Sequence, residues 1–164
     1  MVIAAPRSGT TWAANWLTTD TTLCLHDPLW HRQYFELDSI PSKKMLGISC
    51  TAIALLPEYV NKHPARKVIL HRNLDEVNQS LIAIGSPALT KIWEGALEQI
   101  IGRHCDWREI FDSPKDIYEY LLGLPFDEER HAELSKIEMQ PDFDGLTINR
   151  TAVSGLFNQL RGIS

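Results

Sequence analysis

The chain has 164 residues, 44% of them hydrophobic, and a formal net charge of −5. That length is enough to close one real core, so a single domain over 1–164 is expected. The charge is uneven: residues 1–80 carry 8 basic and 7 acidic side chains and residues 81–164 carry 8 and 14, which excludes a general nucleic-acid surface.

The longest apolar run, "ISCTAIALLP" at 48–57, falls well short of the roughly 20 residues that a membrane span needs. No basic segment precedes an apolar one at the N-terminus, so the reading is a soluble, unexported, cytoplasmic protein without a membrane partner. Cys24, Cys50 and Cys105 are odd in number and contain no C-x-x-C pair. Reduced, buried thiols are the expectation.

In chain order, "MVIAA" at 1–5 is an apolar run without alternation, the pattern of a parallel strand covered on both faces. "TTLCL" (21–25) and "KMLGIS" (44–49) are weaker strands, "AIALLPEYVNKH" (52–63) is a helix interrupted or begun near Pro57, and "KVILH" (67–71) is a further strand. Strand alternating with helix predicts an α/β sheet. Beyond Arg72 helical spacing dominates, at 75–84, 88–102, 113–123, 125–137 and 149–162. Ser113 before Pro114 and Asp127 before an acidic first turn are N-cap patterns, and Gly123 is placed to end a helix. The second half is therefore expected to be mostly helical and to cover the sheet.

Between the first strand and its helix stands "PRSGTTW" (6–12). A glycine turn at a helix start aims several backbone N–H groups at one point, where the helix dipole favours negative charge. Ser8, Thr10 and Thr11 add hydroxyls, Gly9 permits close approach, and Arg7 adds a permanent charge, so the ligand should be a phosphate or sulfate. An ordinary strand–helix turn with hydroxyl caps would use similar residues. The nucleotide-triphosphate loop G-x-x-x-x-G-K-[ST] is not present, because the loop is shorter and lacks Gly-Lys. The histidines show no H-x-x-x-H spacing, so no metal site is expected.

"PRSGTTW" resembles the 5′-phosphosulfate loop of sulfotransferases, P-[KR]-[ST]-G-[ST]-[ST]-[WFL], which implies cofactor contacts from Arg7, Ser8, Gly9, Thr10, Thr11 and Trp12. That family reads a 3′-phosphate with an arginine at a strand end and a serine eight residues on. "HRNLDEVNQS" (71–80) supplies Arg72, Asn73 and Ser80 in those places, with Leu74 where proline is usual. The spacing lets Arg72 and a Ser80 two turns into the helix converge on one phosphate. "LCLHDPLWH" (23–31) resembles the "F-E-P-L-W-H" segment of carbohydrate sulfotransferases, where the catalytic carboxylate lies, and "YLLGLPFDEERHAEL" (120–134) resembles a downstream stretch of bacterial members.

The resemblance implies a three-layer, P-loop-like α/β domain with a short parallel sheet flanked by helices. It further implies transfer of a sulfuryl group from 3′-phosphoadenosine 5′-phosphosulfate (PAPS) to a hydroxyl or amine of a small-molecule or carbohydrate acceptor, leaving 3′-phosphoadenosine 5′-phosphate (PAP). No metal is implied. Two departures stand out: Arg7 replaces the lysine of many members, and no clear R-K-G-x-x-G loop follows. Asp27 is the first candidate for the base, His26 the second, and Arg7 the charge stabiliser; a simple cap before Pro28 is the other use for Asp27. The rival readings are a small kinase or nucleotide hydrolase, with Asp27 on magnesium, and a non-catalytic nucleotide- or sulfate-binding module. Oligomeric state is not legible.

Overall fold

The computed structural model describes residues 1–137. Five strands pair in parallel as one sheet: β1 (Val2–Ala4), β2 (Thr22–His26), β3 (Met45–Cys50), β4 (Val68–His71) and β5 (Arg103–Asp106), in the order β2-β3-β1-β4-β5. The helices are α1 (Thr10–Trp16), α2 (Pro57–Lys62), α3 (Leu74–Ala83), α4 (Ile92–Glu98), α5 (Glu109–Asp112), α6 (Pro114–Leu122) and α7 (Glu128–Ser135). None of the described helices is long and apolar enough to cross a membrane.

The unbroken apolar strands are buried on both faces, as their composition requires. Val2, Ala4, Val68 and Leu70 point to one face, against Trp12, Trp16, Ile110, Ile117 and Tyr118. Ile3, Ala5 and Ile69 point to the other, against Ile53, Val60, Leu97 and Ile100. Three layers result. Trp16 is fully buried, its ring centroid 5.2 Å from Trp12 and 5.4 Å from Tyr118. Truncating a ring so placed costs on the order of 3–5 kcal/mol, so this aromatic wedge anchors α1 and with it the turn that precedes it.

The four expected strands form within one residue of their places. Pro57 begins α2 after a separate 3-10 turn at Ala52–Leu55, as its fixed φ favours. Three details differ from expectation. The amphipathic stretch 88–102 is helical only over Ile92–Glu98, and β5 follows it where no strand was expected. Ser113 stands at the N-cap of α6 without a side-chain capping bond, whereas Asp127 does cap α7, accepting from the Arg130 N–H at 2.9 Å. The helix expected at 149–162 lies outside the described residues.

The topology also locates a crevice. From β1 the chain departs toward β2 on one side, and from β4 it departs toward β5 on the other. Loops leaving adjacent strands in opposite directions open a cleft at their carboxyl ends, the usual ligand position in an open α/β sheet. Arg7 follows β1 and Arg72 follows β4, so both arginines stand at that point.

Candidate functional site

The turn after β1 is held in an uncommon backbone shape. Arg7 and Gly9 both have positive φ, 64° and 83°. A Cβ on Gly9 would stand 3.1 Å from Ile110 Cδ1, so conformation and space both call for glycine here. The first bond of α1 runs from the Ala13 N–H to the Gly9 carbonyl at 2.9 Å, which leaves the N–H groups of Thr10, Thr11 and Trp12 outside the helical ladder. The hydroxyls do not cap the helix. Ser49 Oγ donates to the Thr10 carbonyl at 2.8 Å and ties the turn to β3.

The side chains of the turn are used unequally. Ser8 is fully buried with its hydroxyl 3.5 Å from the Pro6 carbonyl, and Thr10 is buried as well. The Trp12 ring lies in the core, so what it offers a ligand is its backbone N–H. Thr11 and Arg7 are half-buried, and their side chains meet His26 and Ser80.

Arg72 follows β4, and the Asn73 side chain caps α3 by accepting from the N–H groups of Asp75 at 2.8 Å and Glu76 at 3.3 Å. Glu76 and Ser80 follow Arg72 at four-residue steps and share one helical side. Arg7 Nε donates to Ser80 Oγ at 2.8 Å, and the Arg72 guanidinium donates to the Arg7 carbonyl. Two stretches 65 residues or more apart in sequence are thereby brought into one knot. The guanidinium of Arg72 also pairs with Glu76 at 3.2 Å and lies over the Trp107 ring at 4.4 Å. Burial, and secondarily the charge of Arg72, holds the Arg7 pKa below its ordinary value. Two guanidiniums kept this close favour an anion between or beside them.

The third element is the end of β2. His26 Nε2 is 3.3 Å from Thr10 Oγ1 and 3.2 Å from Thr11 Oγ1, and 3.3 Å from Asp27 Oδ2. Asp27 has φ 40° and makes no side-chain capping bond to the 3-10 turn that begins at Pro28. Its Oδ1 instead accepts from the Thr51 N–H at 2.6 Å and the Thr51 hydroxyl at 3.1 Å. The Asp27 side chain is 12% exposed and that of His26 is 38% exposed. Trp30 and Phe35, 78% and 64% exposed, stand in the segment just beyond.

The residues singled out in the sequence thus gather on one sheet edge: Arg7, Ser80 and Arg72 in one knot, and Thr10, Thr11, His26 and Asp27 in the next. Thr51 and Trp107 were not legible beforehand. A threonine after a strand and a tryptophan before an arginine carry no spacing signal of their own.

No protein-family profile matches the sequence, and no curated protein does. Among solved structures the chain is similar to a mouse sulfotransferase, SULT7A1, complexed with PAP, at 15% identity and a TM-score of 0.54, over 97% of this chain and 82% of that one. The fold is that of a sulfotransferase.

Proposed function

We propose that the chain is a PAPS-dependent sulfotransferase whose acceptor is a hydroxyl or amine of a small molecule or carbohydrate, acting in the cytoplasm. The observation that carries this reading is the meeting of Arg7, Ser80 and Arg72 across the β1/β4 crevice, an assembly of donors suited to a ligand with two anionic groups. The donor set fits PAPS: free N–H groups and Arg7 at the turn for the 5′-phosphosulfate, Arg72 and Ser80 for the 3′-phosphate.

The reaction forms a bond from the acceptor atom to sulfur, breaks the bond from sulfur to the 5′-phosphate oxygen, and releases the acceptor proton. The turn N–H groups and Arg7 hold the leaving phosphate and offset the charge that grows on it. Thr10 and Thr11 fix the transferring group relative to His26, so that attack proceeds in line.

The proton goes to the His26–Asp27 pair. With both Oδ1 donors supplied by Thr51, Asp27 presents Oδ2 to His26 Nε2. That contact holds the imidazole beside the turn hydroxyls, so His26 is the base and Asp27 fixes its orientation.

Titration calorimetry with PAP and with adenosine 5′-phosphate tests the assignment. PAP should bind at least roughly ten-fold more tightly, because charge-assisted hydrogen bonds contribute about 1.5–3 kcal/mol each, and Arg72→Ala should remove the preference. Equal affinity for the two nucleotides would overturn the reading. Radiolabelled sulfate passing from PAPS to a panel of phenols, amines and sugars then identifies the acceptor.

A further inference from the structure

Arg108 follows β5, and its environment repeats that of Arg72. Its guanidinium lies 5.1 Å from the centroid of the Trp107 ring that Arg72 also covers. It meets both Glu76 oxygens, at 3.2 and 3.3 Å, while Arg72 meets Oε2 of the same carboxylate at 3.2 Å. One carboxylate therefore bridges two guanidiniums that share one indole. Asp106 lies 3.6 Å from the far side of Arg108 and accepts from its backbone N–H at 2.8 Å.

Arg7, Arg72 and Arg108 bring three guanidiniums to the ends of β1, β4 and β5, where Glu76, Asp106 and Glu109 supply carboxylates, and Glu76 is the one shared between Arg72 and Arg108. The hydrogen bond from Arg108 first, and that from Arg72 next, hold the Glu76 carboxyl below its ordinary range. Glu76 occupies the place that an oxyanion shared by the two forks would take. It lies one helical turn before Ser80, whose hydroxyl already faces Arg7.

We propose that Arg108 is a second guanidinium for the nucleotide 3′-phosphate, working beside Arg72 on the Trp107 plank, with Glu76 as the internal anion that a phosphate displaces. The proposal rests on the nucleotide reading given above. A planar fork on either side is the arrangement that best matches a dianionic phosphate, which offers three terminal oxygens. The indole restrains both side chains, so less freedom is lost when the ligand arrives. Arg108 is thus a residue that sets the preference for a 3′-phosphorylated nucleotide.

Calorimetry with PAP and adenosine 5′-phosphate on the wild-type chain, Arg108→Ala, Arg108→Lys and Glu76→Gln tests it. Arg108 is 52% exposed, so Arg108→Ala should melt with the wild type. It should bind PAP roughly ten-fold or more weakly with adenosine 5′-phosphate unchanged. Arg108→Lys should recover part of that loss, and Glu76→Gln should bind PAP as tightly as the wild type or more so. An unchanged PAP affinity in Arg108→Ala, an equal loss for both nucleotides, or a loss in Glu76→Gln as large as in Arg108→Ala would each overturn the proposal. If the wild type itself does not prefer PAP, the nucleotide reading fails; if it does and Arg108→Ala keeps the preference, only the role of Arg108 fails.

Discussion

Asp27 and His26 are neighbours in sequence with different commitments in space. Asp27 spends one oxygen on Thr51 and turns the other to His26, while His26 reaches the turn hydroxyls and stays partly open. Their substitutions should therefore separate stability from turnover. Asp27→Ala removes the partner of the Thr51 N–H and places alanine at φ 40°. Leaving that partly buried donor unpaired costs up to about 1–3 kcal/mol, and alanine tolerates the left-handed backbone less well than aspartate does, so its urea midpoint should fall. His26→Asn should keep the midpoint and PAP affinity and lose sulfuryl transfer. Asp27→Asn keeps an oxygen for Thr51 and a side chain that tolerates the left-handed backbone, so it should fold normally with transfer reduced but not abolished. Transfer retained in His26→Asn and lost in Asp27→Asn would return the base to the carboxylate that the sequence pattern put first. The sequence named both residues, but which oxygen Thr51 occupies depends on a contact between β2 and β3 that local pattern does not encode.

At the scale of elements, the strands that the sequence made visible are those with continuous apolar runs. Val68, Ile69 and Leu70 have no choice but burial on both faces, and β1 behaves alike. The last strand is different in kind: "RHCD" contains one inward-facing residue, Cys105, and sits at the sheet edge. An edge strand can be polar because solvent meets one side of it. Its pairing comes from β4, beginning with the Arg103 N–H on the Lys67 carbonyl at 2.9 Å, and not from its own side chains. Helical spacing in "ALTKIWEGALEQIIG" therefore ran on to a glycine whose purpose is otherwise. A Cβ at Gly102 would lie 2.6 Å from Ile69 Cδ1 and 2.9 Å from the Lys67 carbonyl oxygen, so Gly102 is what lets β5 reach β4. Gly102→Ala should destabilise the fold by about 1–3 kcal/mol, the usual cost of forcing an extra methyl group into packed structure. A urea midpoint equal to that of the wild type would show instead that the edge yields freely. Since Arg108 follows this strand, the same substitution should also weaken PAP binding.

The whole described molecule hangs on one sheet, and its three cysteines sample that sheet across its width. Cys24 lies in the edge strand β2, Cys50 at the end of β3, and Cys105 in the opposite edge strand β5. All three are free and buried. Burial pushes the thiols of Cys24 and Cys50 up to about 12 and that of Cys105 up to about 11. At neutral pH the thiolate, the form that attacks a disulfide reagent, is essentially missing from the native state. Reaction must therefore pass through opening of the sheet. If residues 1–164 form one cooperative domain, as the length suggests, no strand should open alone and the three thiols should become reactive over the same range of urea. Mass spectrometry after brief exposure to an aromatic disulfide, across a urea series, would give the three labelling curves. Coincident midpoints are expected. Cys105 labelled at lower urea than Cys24 and Cys50 would mean that β5 opens as a separate unit. On the proposed reading PAP bridges the loops after β1 and β4 and should then move all three curves to higher urea together, because a ligand that binds only the folded state stabilises by RT ln(1 + [L]/Kd), about 2.7 kcal/mol at 100 times Kd. A shift confined to one thiol would place the nucleotide away from the β1/β4 crevice.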